Sequence, residues 1–359
     1  MNKRIITQTL VTLLLTQASV FGISHDDVQL GGTYMGLINK YKGGDNPVQF
    51  DFASNLDVEF NIADNIKGIV QLQGGVGNGM LGFVGPEAAV TDLNIEYTLK
   101  SGNVLTMGSF DLPLGDGVNY LTNNADATAS SFVANNLSYS ALAGPVGTLN
   151  TVGTKLDGVS FGQVNTTFAL TNGTAEDAVN EEGSFLYLVG ANTSYKNAEL
   201  GVTYTSSNDA ADESNTDSNS FDTEFSAILY DINVALSDNI SLKSHFGTFS
   251  YDDGMSGTQN DVDVASIELS KQYTNSTVSF RYSQWAPKSL GSSYSAYSAD
   301  IPMPGFDDSM ANSANIQRYQ FGFNIPVEEN LSARIEYNND IYEQDTSFSS
   351  LILALNGSF

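Results

Sequence analysis

The side chains best placed to do chemistry in this chain are charges spaced two residues apart. Asp51, Asp57 and Glu59 fall on one face of "QFDFASNLDVEFNI", opposite Phe50, Phe52, Leu56, Val58, Phe60 and Ile62. Glu96 holds the same place in "LNIEYTL", and Glu199 in a later run. The polar faces of the runs that follow carry bases instead: Lys243, Arg281, Arg318 and Arg334, with Glu336 two residues after the last. A period of two puts such residues on one side of a β-strand. In the wall of a water-filled passage these charges would set a transverse field. An Arg turned to lipid at mid-depth would cost about 2–4 kcal/mol. The plainer alternative for Arg334 and Glu336 is pairing with neighbours that only solubilises the wall.

Other chemistries find little support. With no Cys, disulfides, thiolate catalysis and Cys-ligated metal are all excluded. Only His25 and His245 exist, so a Ser–His hydrolase would have to use His245 with a Ser outside any nucleophile-elbow pattern. "GGVGNG" (74–79) lacks the Lys-Ser/Thr and helix of a phosphate loop and reads as turn or bulge glycines. The acidic stretches 206–220 and 252–263 lack EF-hand spacing, which leaves divalent bridging to lipopolysaccharide as their one metal-linked reading. No catalytic role, cofactor or dedicated metal site is expected. A net charge of −27 also disfavours nucleic acid as a partner.

The elements that must position these charges are strands. Gly, Asn, Ser, Thr and Asp are frequent, and Phe and Tyr together outnumber Lys and Arg, a mixture suited to strands joined by turns. Residues 1–23 read as a secretory signal: Lys3 and Arg4, an apolar run through Leu15, then small residues. Residues 24–359 then form one unit. Sixteen alternating segments can be counted in it. Short turns such as "ADNI", "KSGN", "DG" at 157–158, "SDN" and "EEN" alternate with long polar stretches, among them 37–48, 76–87, 112–146, 252–260 and 286–313. Tight turns at one end and long connections at the other predict a transmembrane antiparallel β-barrel of about sixteen strands. A soluble secreted sandwich or repeat protein is the alternative. Tyr97, Tyr195, Tyr204, Tyr282 and Tyr337 are candidates for the aromatic girdles of such a barrel.

The final run, "SFSSLILALNGSF", would be the closing strand. Leu351, Leu353, Leu355 and Phe359 point outward, and Ser350, Ala354, Asn356 and Ser358 inward. Phe348 and Ile352 also fall on the inner face, which simple alternation does not explain.

With a cleavable signal, sixteen alternating segments, one very long third connection and a last residue Phe359, the chain resembles the Gram-negative outer-membrane porins. The resemblance is architectural and assigns no subfamily. It implies an outer-membrane location, usually a homotrimer, and a diffusion channel for small hydrophilic solutes. It also implies that Phe359 is a signal to the barrel-assembly machinery, and that 112–146 folds into the pore as its constriction. That loop offers Asp116, Tyr120 and Asp126, with Asp111 at its root, and contains no base. The acidic balance favours a weak cation preference. A sugar-selective channel, stacking solute on Tyr120, Phe132 and Tyr139, and a non-conducting surface or structural barrel remain open as alternatives.

Overall fold

The structure, a computed structural model, describes residues 28–42, 48–78, 84–111, 132, 150–172, 185–208, 224–253, 258–289, 315–342 and 347–358. Sixteen strands run through them. The first eight are β1 (Val28–Lys42), β2 (Gln49–Ala63), β3 (Ile66–Asn78), β4 (Val84–Thr98), β5 (Val104–Asp111), β6 (Asn150–Phe161), β7 (Val164–Asn172) and β8 (Phe185–Tyr195). The rest are β9 (Ala198–Asn208), β10 (Glu224–Ser237), β11 (Ile240–Asp253), β12 (Thr258–Tyr273), β13 (Ser276–Ser289), β14 (Ile316–Glu328), β15 (Leu331–Tyr342) and β16 (Ser347–Ser358). Each pairs antiparallel with its neighbours in sequence, and β1 pairs with β16 from Thr33 opposite Ser358 to Lys42 opposite Ser349. The sheet is closed, so no strand edge is left with unpaired amides.

Alternation gives the wall two faces. Outward stand Phe50, Phe52, Leu93, Ile95, Phe280, Phe321, Ile335, Leu351, Leu353 and Leu355, all exposed. Inward stand the buried Asp51, Asn55, Arg281, Arg318, Gln320, Arg334, Glu336 and Asn338. Outward-facing lysines keep to the strand ends: Lys271 lies beside Tyr273 near one rim, and Lys288 pairs with Asp263 at the other. An apolar belt bounded by charged rims is the surface that a bilayer selects.

One device recurs where the strands turn tightly. "IADN" (62–65), "LSDN" (236–239) and "VEEN" (327–330) each place a bulge just before a two-residue turn. In each case the carbonyl of the turn Asn then accepts a hydrogen bond from the strand beyond the hairpin. Thr98 donates to Asn65, Gln272 to Asn239 and Ser358 to Asn330, at 2.8–3.1 Å, and Ala235 donates in the same way to Asn197. The turn therefore extends the ladder of the next strand and leaves that carbonyl satisfied.

Several connections differ from the sequence expectation: β1 runs on to Lys42 inside 37–48, and β3 and β4 leave only 79–83 of 76–87. Asp157–Gly158 is a bulge inside β6, with Gly158 at φ 80°, and the turn comes at Gly162–Gln163. Asp157 is held at the inner wall, where its carboxylate takes the Thr167 hydroxyl at 2.8 Å and the Lys155 ammonium at 3.1 Å. A turn at that point would forfeit both bonds. The supposed long loop 252–260 shrinks to 254–257, because Thr258 to Asp263 continue the ladder with β11. Residues 1–27, which contain the expected signal, and Phe359 lie outside the described residues.

Close approach of β6 and β7 depends on Gly153, because a Cβ there would meet the Leu170 carbonyl and the Thr171 Cα. Backbone cannot yield as a side chain can. Gly153→Ala is expected to cost about 1–3 kcal/mol, read as a lower denaturant midpoint of the folded barrel. Gly36→Ala, whose Cβ would meet only a Phe52 ring carbon at 3.7 Å, should leave the midpoint in place.

Candidate functional site on the inner wall

A continuous polar network covers the inner face of β12 to β16. Arg281 on β13 donates from Nε to Gln320 Oε1 at 2.7 Å, and its Nη1 lies 3.6 Å from Glu268 Oε2 on β12. Ser270 donates to the other Glu268 oxygen at 3.0 Å and shares a 2.7 Å hydrogen bond with Ser279. Gln320 Nε2 reaches Glu336 Oε1 at 3.2 Å and Asn338 Oδ1 at 3.0 Å, and Asn338 Nδ2 continues to Ser350 at 3.3 Å. Arg318 holds Asp340 in a two-pronged pair, at 2.7 and 2.9 Å. Antiparallel register creates these links: Arg281 faces Gln320, Gln320 faces Asn338, and Arg318 faces Asp340.

A single described residue of the long connection between β5 and β6 enters this wall. The ring of Phe132, 1 % exposed, lies 4.4 Å from the Arg281 guanidinium, and its carbonyl takes a long 3.5 Å contact from Arg334 Nη1. Stacking of this kind contributes about 0.5–2 kcal/mol, more when water is excluded. Arg281 thus spends its edge on the wall and its face on the loop.

Of the expected site residues, Arg281, Arg318 and Arg334 come together here. Lys243 does not. It faces inward near the tight-turn end of β11, across from Glu268, but it is exposed and makes no ion pair among the described residues. Asp51 shares the Arg334 row, through Ala354 and Leu37, and is buried. Asp57 accepts from Gln71 at 2.7 Å. Glu59 pairs with Lys67 at 3.3 Å in an exposed position near the β2–β3 turn, and Glu96 faces Lys67 from β4. Both belong to the tight-turn mouth of the barrel. Asp116, Tyr120, Asp126 and the Asp111 side chain lie outside the described residues.

Sequence reasoning missed two features. Glu268 and Asp340 stand among the bases, so the second half of the barrel is not simply positive. Both sit on polar faces at period two and were visible in principle, but pairing across strands needs a register that one chain does not display. The second feature is an inner apolar band: Leu186 and Leu188 on β8, Leu229 on β10, Phe249 on β11 and Trp285 on β13. Its signal is the run "FLYLV" (185–189), apolar on both faces, as strands covered on both sides are. Ile352, 0 % exposed, belongs to a smaller inner patch with Met35 and Leu37, which explains its place against simple alternation.

His245 faces inward, buried, with Asp231 and Ser266 opposite it on β10 and β12. The three residue types suit acyl transfer. However, Ser266 lies mid-ladder, where the backbone amides are spent on neighbouring strands and none is free to hold an oxyanion. The row fits a polar wall better than a catalytic site.

No protein-family model matches the chain, and no curated protein matches it. Solved structures do. OprB of Pseudomonas putida aligns with a TM-score of 0.64 at 10% identity, covering 96% of each chain. The anion-selective porin of Comamonas acidovorans aligns at 0.63 and 11%, covering 92% of this chain and 99% of that one. The trimer form of OmpT, an outer membrane protein of Vibrio cholerae, aligns at 0.61 and 9%, with 92% and 99% covered. At such identities the likeness is one of fold.

Breaking one partner of the Arg318–Asp340 pair should cost about 3 kcal/mol, since it strands a buried carboxylate. Arg318→Met is expected to lower the urea midpoint, and the double variant Arg318→Met, Asp340→Leu to recover most of the loss. A double variant no more stable than the single one would contradict a coupled pair.

Proposed function

We propose, on the premise of a closed sixteen-stranded barrel with the fold of the outer-membrane porins, that this chain forms a water-filled diffusion channel for small hydrophilic solutes and ions. The outer membrane of a Gram-negative bacterium is its place. The carrying observation is the partition of charge. The three described arginines all face inward, and the outward charges Lys271, Lys288 and Asp263 stand at the rims of an apolar belt. That arrangement serves lipid outside and water inside.

The stretch 112–146 is the constriction in this reading, with Asp116, Tyr120 and Asp126 on it and Arg281 and Arg334 anchoring it at Phe132. Weak cation preference follows from the wall. Arg281 and Arg318 are matched by Glu268 and Asp340, and the inner wall carries further carboxylates in Asp51, Asp57, Glu199 and Asp231. Phe132, buried beneath Arg281, is unavailable as a stacking platform, which weakens the sugar-selective alternative. Homotrimeric assembly is supported by the trimer form of the similar OmpT. The channel's other partners are lipid and lipopolysaccharide around the belt and the barrel-assembly machinery reading Phe359. No enzymatic activity is proposed.

Folded protein added to a planar bilayer should give discrete conductance steps, and a KCl gradient should give a reversal potential of the sign set by K⁺. Deleting 118–138 should raise the step size. Folded protein without steps would replace the channel with a non-conducting surface barrel, and unchanged steps after the deletion would remove the loop from the constriction.

A further inference from the structure

We propose a binding site on the outer face of the wall: a groove across β16, β1 and β2 that seats an acyl chain of lipopolysaccharide, while Lys40 and Lys42 hold that lipid's phosphate. It rests on the outer-membrane placement and not on conductance. The groove encloses about 560 Å³, and Gly36 is its floor. Phe50 and Phe52 of β2 rise on one side of Gly36 and Leu353 and Leu355 of β16 on the other, with Ile335 of β15 beyond. A Cβ at Gly36 would meet only a Phe52 ring carbon at 3.7 Å, so the space above it is open. On the tight-turn side the next outward residue is Tyr34, whose ring lies across Gly357 so closely that a Cβ there would collide with it. The groove is therefore stopped toward the tight turns and open toward the long connections.

Register puts two cations at the open end. Lys40 and Lys42 continue the outward column of Gly36 and Ile38 at period two, opposite Leu351 and Ser349 of β16. Both are exposed, and neither has an ion pair or hydrogen bond among the described residues. Lys288, the other outward lysine near this end, is already paired with Asp263 at 2.7 Å. The connection 43–47 adds Asp45 and no base. Two lysines against one carboxylate leave a surplus of positive charge, on a chain whose net charge is −27. Four residues of strand separate Gly36 from Lys40, about 13 Å, which the tilt of the strands reduces to about 10 Å of depth. One leaflet holds about 15 Å of hydrocarbon, so a head held at the lysines places its chains at the level of the groove. The long connections of such barrels face the exterior, which makes this the outer leaflet.

Shape admits a chain, and charge selects the head. Lipid tails are as apolar as Leu, so the groove gains nothing from excluding water; an unfilled groove instead forfeits the dispersion contacts of its walls. Any acyl chain could supply those contacts. The lysines discriminate among heads, because Lys donates to phosphate through charge-assisted bonds about twice as strong as neutral ones. A zwitterionic head brings an ammonium that the lysines repel. A head with phosphates on sugar and no ammonium satisfies both lysines while its chain fills the groove. A second copy of this chain could cover the groove with apolar side chains, and the test separates the two occupants.

Diphosphoryl lipid A is the probe, added to the folded full-length protein in detergent and read by native mass spectrometry, with phosphatidylethanolamine as comparison. EDTA is present throughout, so that divalent bridges to acidic connections contribute nothing. Saturable retention of lipid A is expected, well above that of phosphatidylethanolamine. The double variant Lys40→Gln, Lys42→Gln should weaken it at least about tenfold, the loss of two cations at the membrane surface. Gly36→Leu, which fills the groove and keeps both lysines, should weaken it similarly. Should Gly36→Leu fail to fold, as judged by heat-modifiable gel mobility, the lysine variant decides alone. Equal retention by wild type and lysine variant would overturn the site, as would equal retention of phosphatidylethanolamine. Loss of an oligomer in Gly36→Leu with lipid A retention unchanged would also overturn it and give the groove to a second copy. Conductance steps without lipid A retention contradict the groove site and leave the channel standing. Retention without steps does the reverse.

Discussion

In hydrocarbon there is no water to satisfy an unpaired amide, and this constraint governs the whole chain. A strand can cross only if both its edges are bonded, so a sheet that crosses must close. The β1–β16 ladder supplies that closure. The turn asparagines serve the same end: Asn65, Asn197, Asn239 and Asn330 each give a carbonyl to the strand beyond their hairpin, so pairing continues to the rim. Once every amide is spent on the wall, side chains alone distinguish its faces, and chemistry is confined to what alternate residues present inward.

That inner face is not a uniform charged lining. Acid and base interleave across β12 to β16, and an Arg–Gln–Asn–Ser line of side chains ties four strands together at one level. Such a network brings geometric specificity more dependably than net stability, because desolvation offsets much of the attraction between the charges. Its use here is positional. Arg281, fixed along its edge by Glu268 and Gln320, offers a rigid cationic face on which Phe132 rests. On β7 to β10 the inner face instead sets the small residues Gly190, Gly201 and Thr203 beside the apolar band of Leu186, Leu188 and Leu229.

Much of this was legible in the chain. Period two in "QFDFASNLDVEFNI" and "RYQFGFNI" is maintained because lipid and lumen enforce opposite polarities on successive residues, and the strand count and outward leucines of β16 follow from it. Where both faces are apolar, as in "FLYLV", that periodic signal vanishes, and the inner band of Leu186, Leu188 and Trp285 went unread. Asp157–Gly158 has the composition of a turn but serves as a bulge, because the bond Asp157 accepts from Thr167 on β7, with Lys155 beside it on its own strand, outweighs local preference. Register was the largest gap. Arg281, Arg318 and Arg334 were visible singly, but their partners Gln320, Asp340 and Phe132 lie 39, 22 and 202 residues away in sequence.

The central claim is that alternate residues of one closed wall meet lipid and water. The chain has no Cys, so each introduced thiol is unique and can carry one spin label in reconstituted vesicles. Labels at Phe321, Ile335 and Leu353 should be relaxed by membrane-dissolved oxygen, and labels at Asp57, Glu199 and Lys243 by a water-soluble nickel complex. Equal access of the nickel complex to both sets would contradict a membrane barrel with a wet interior.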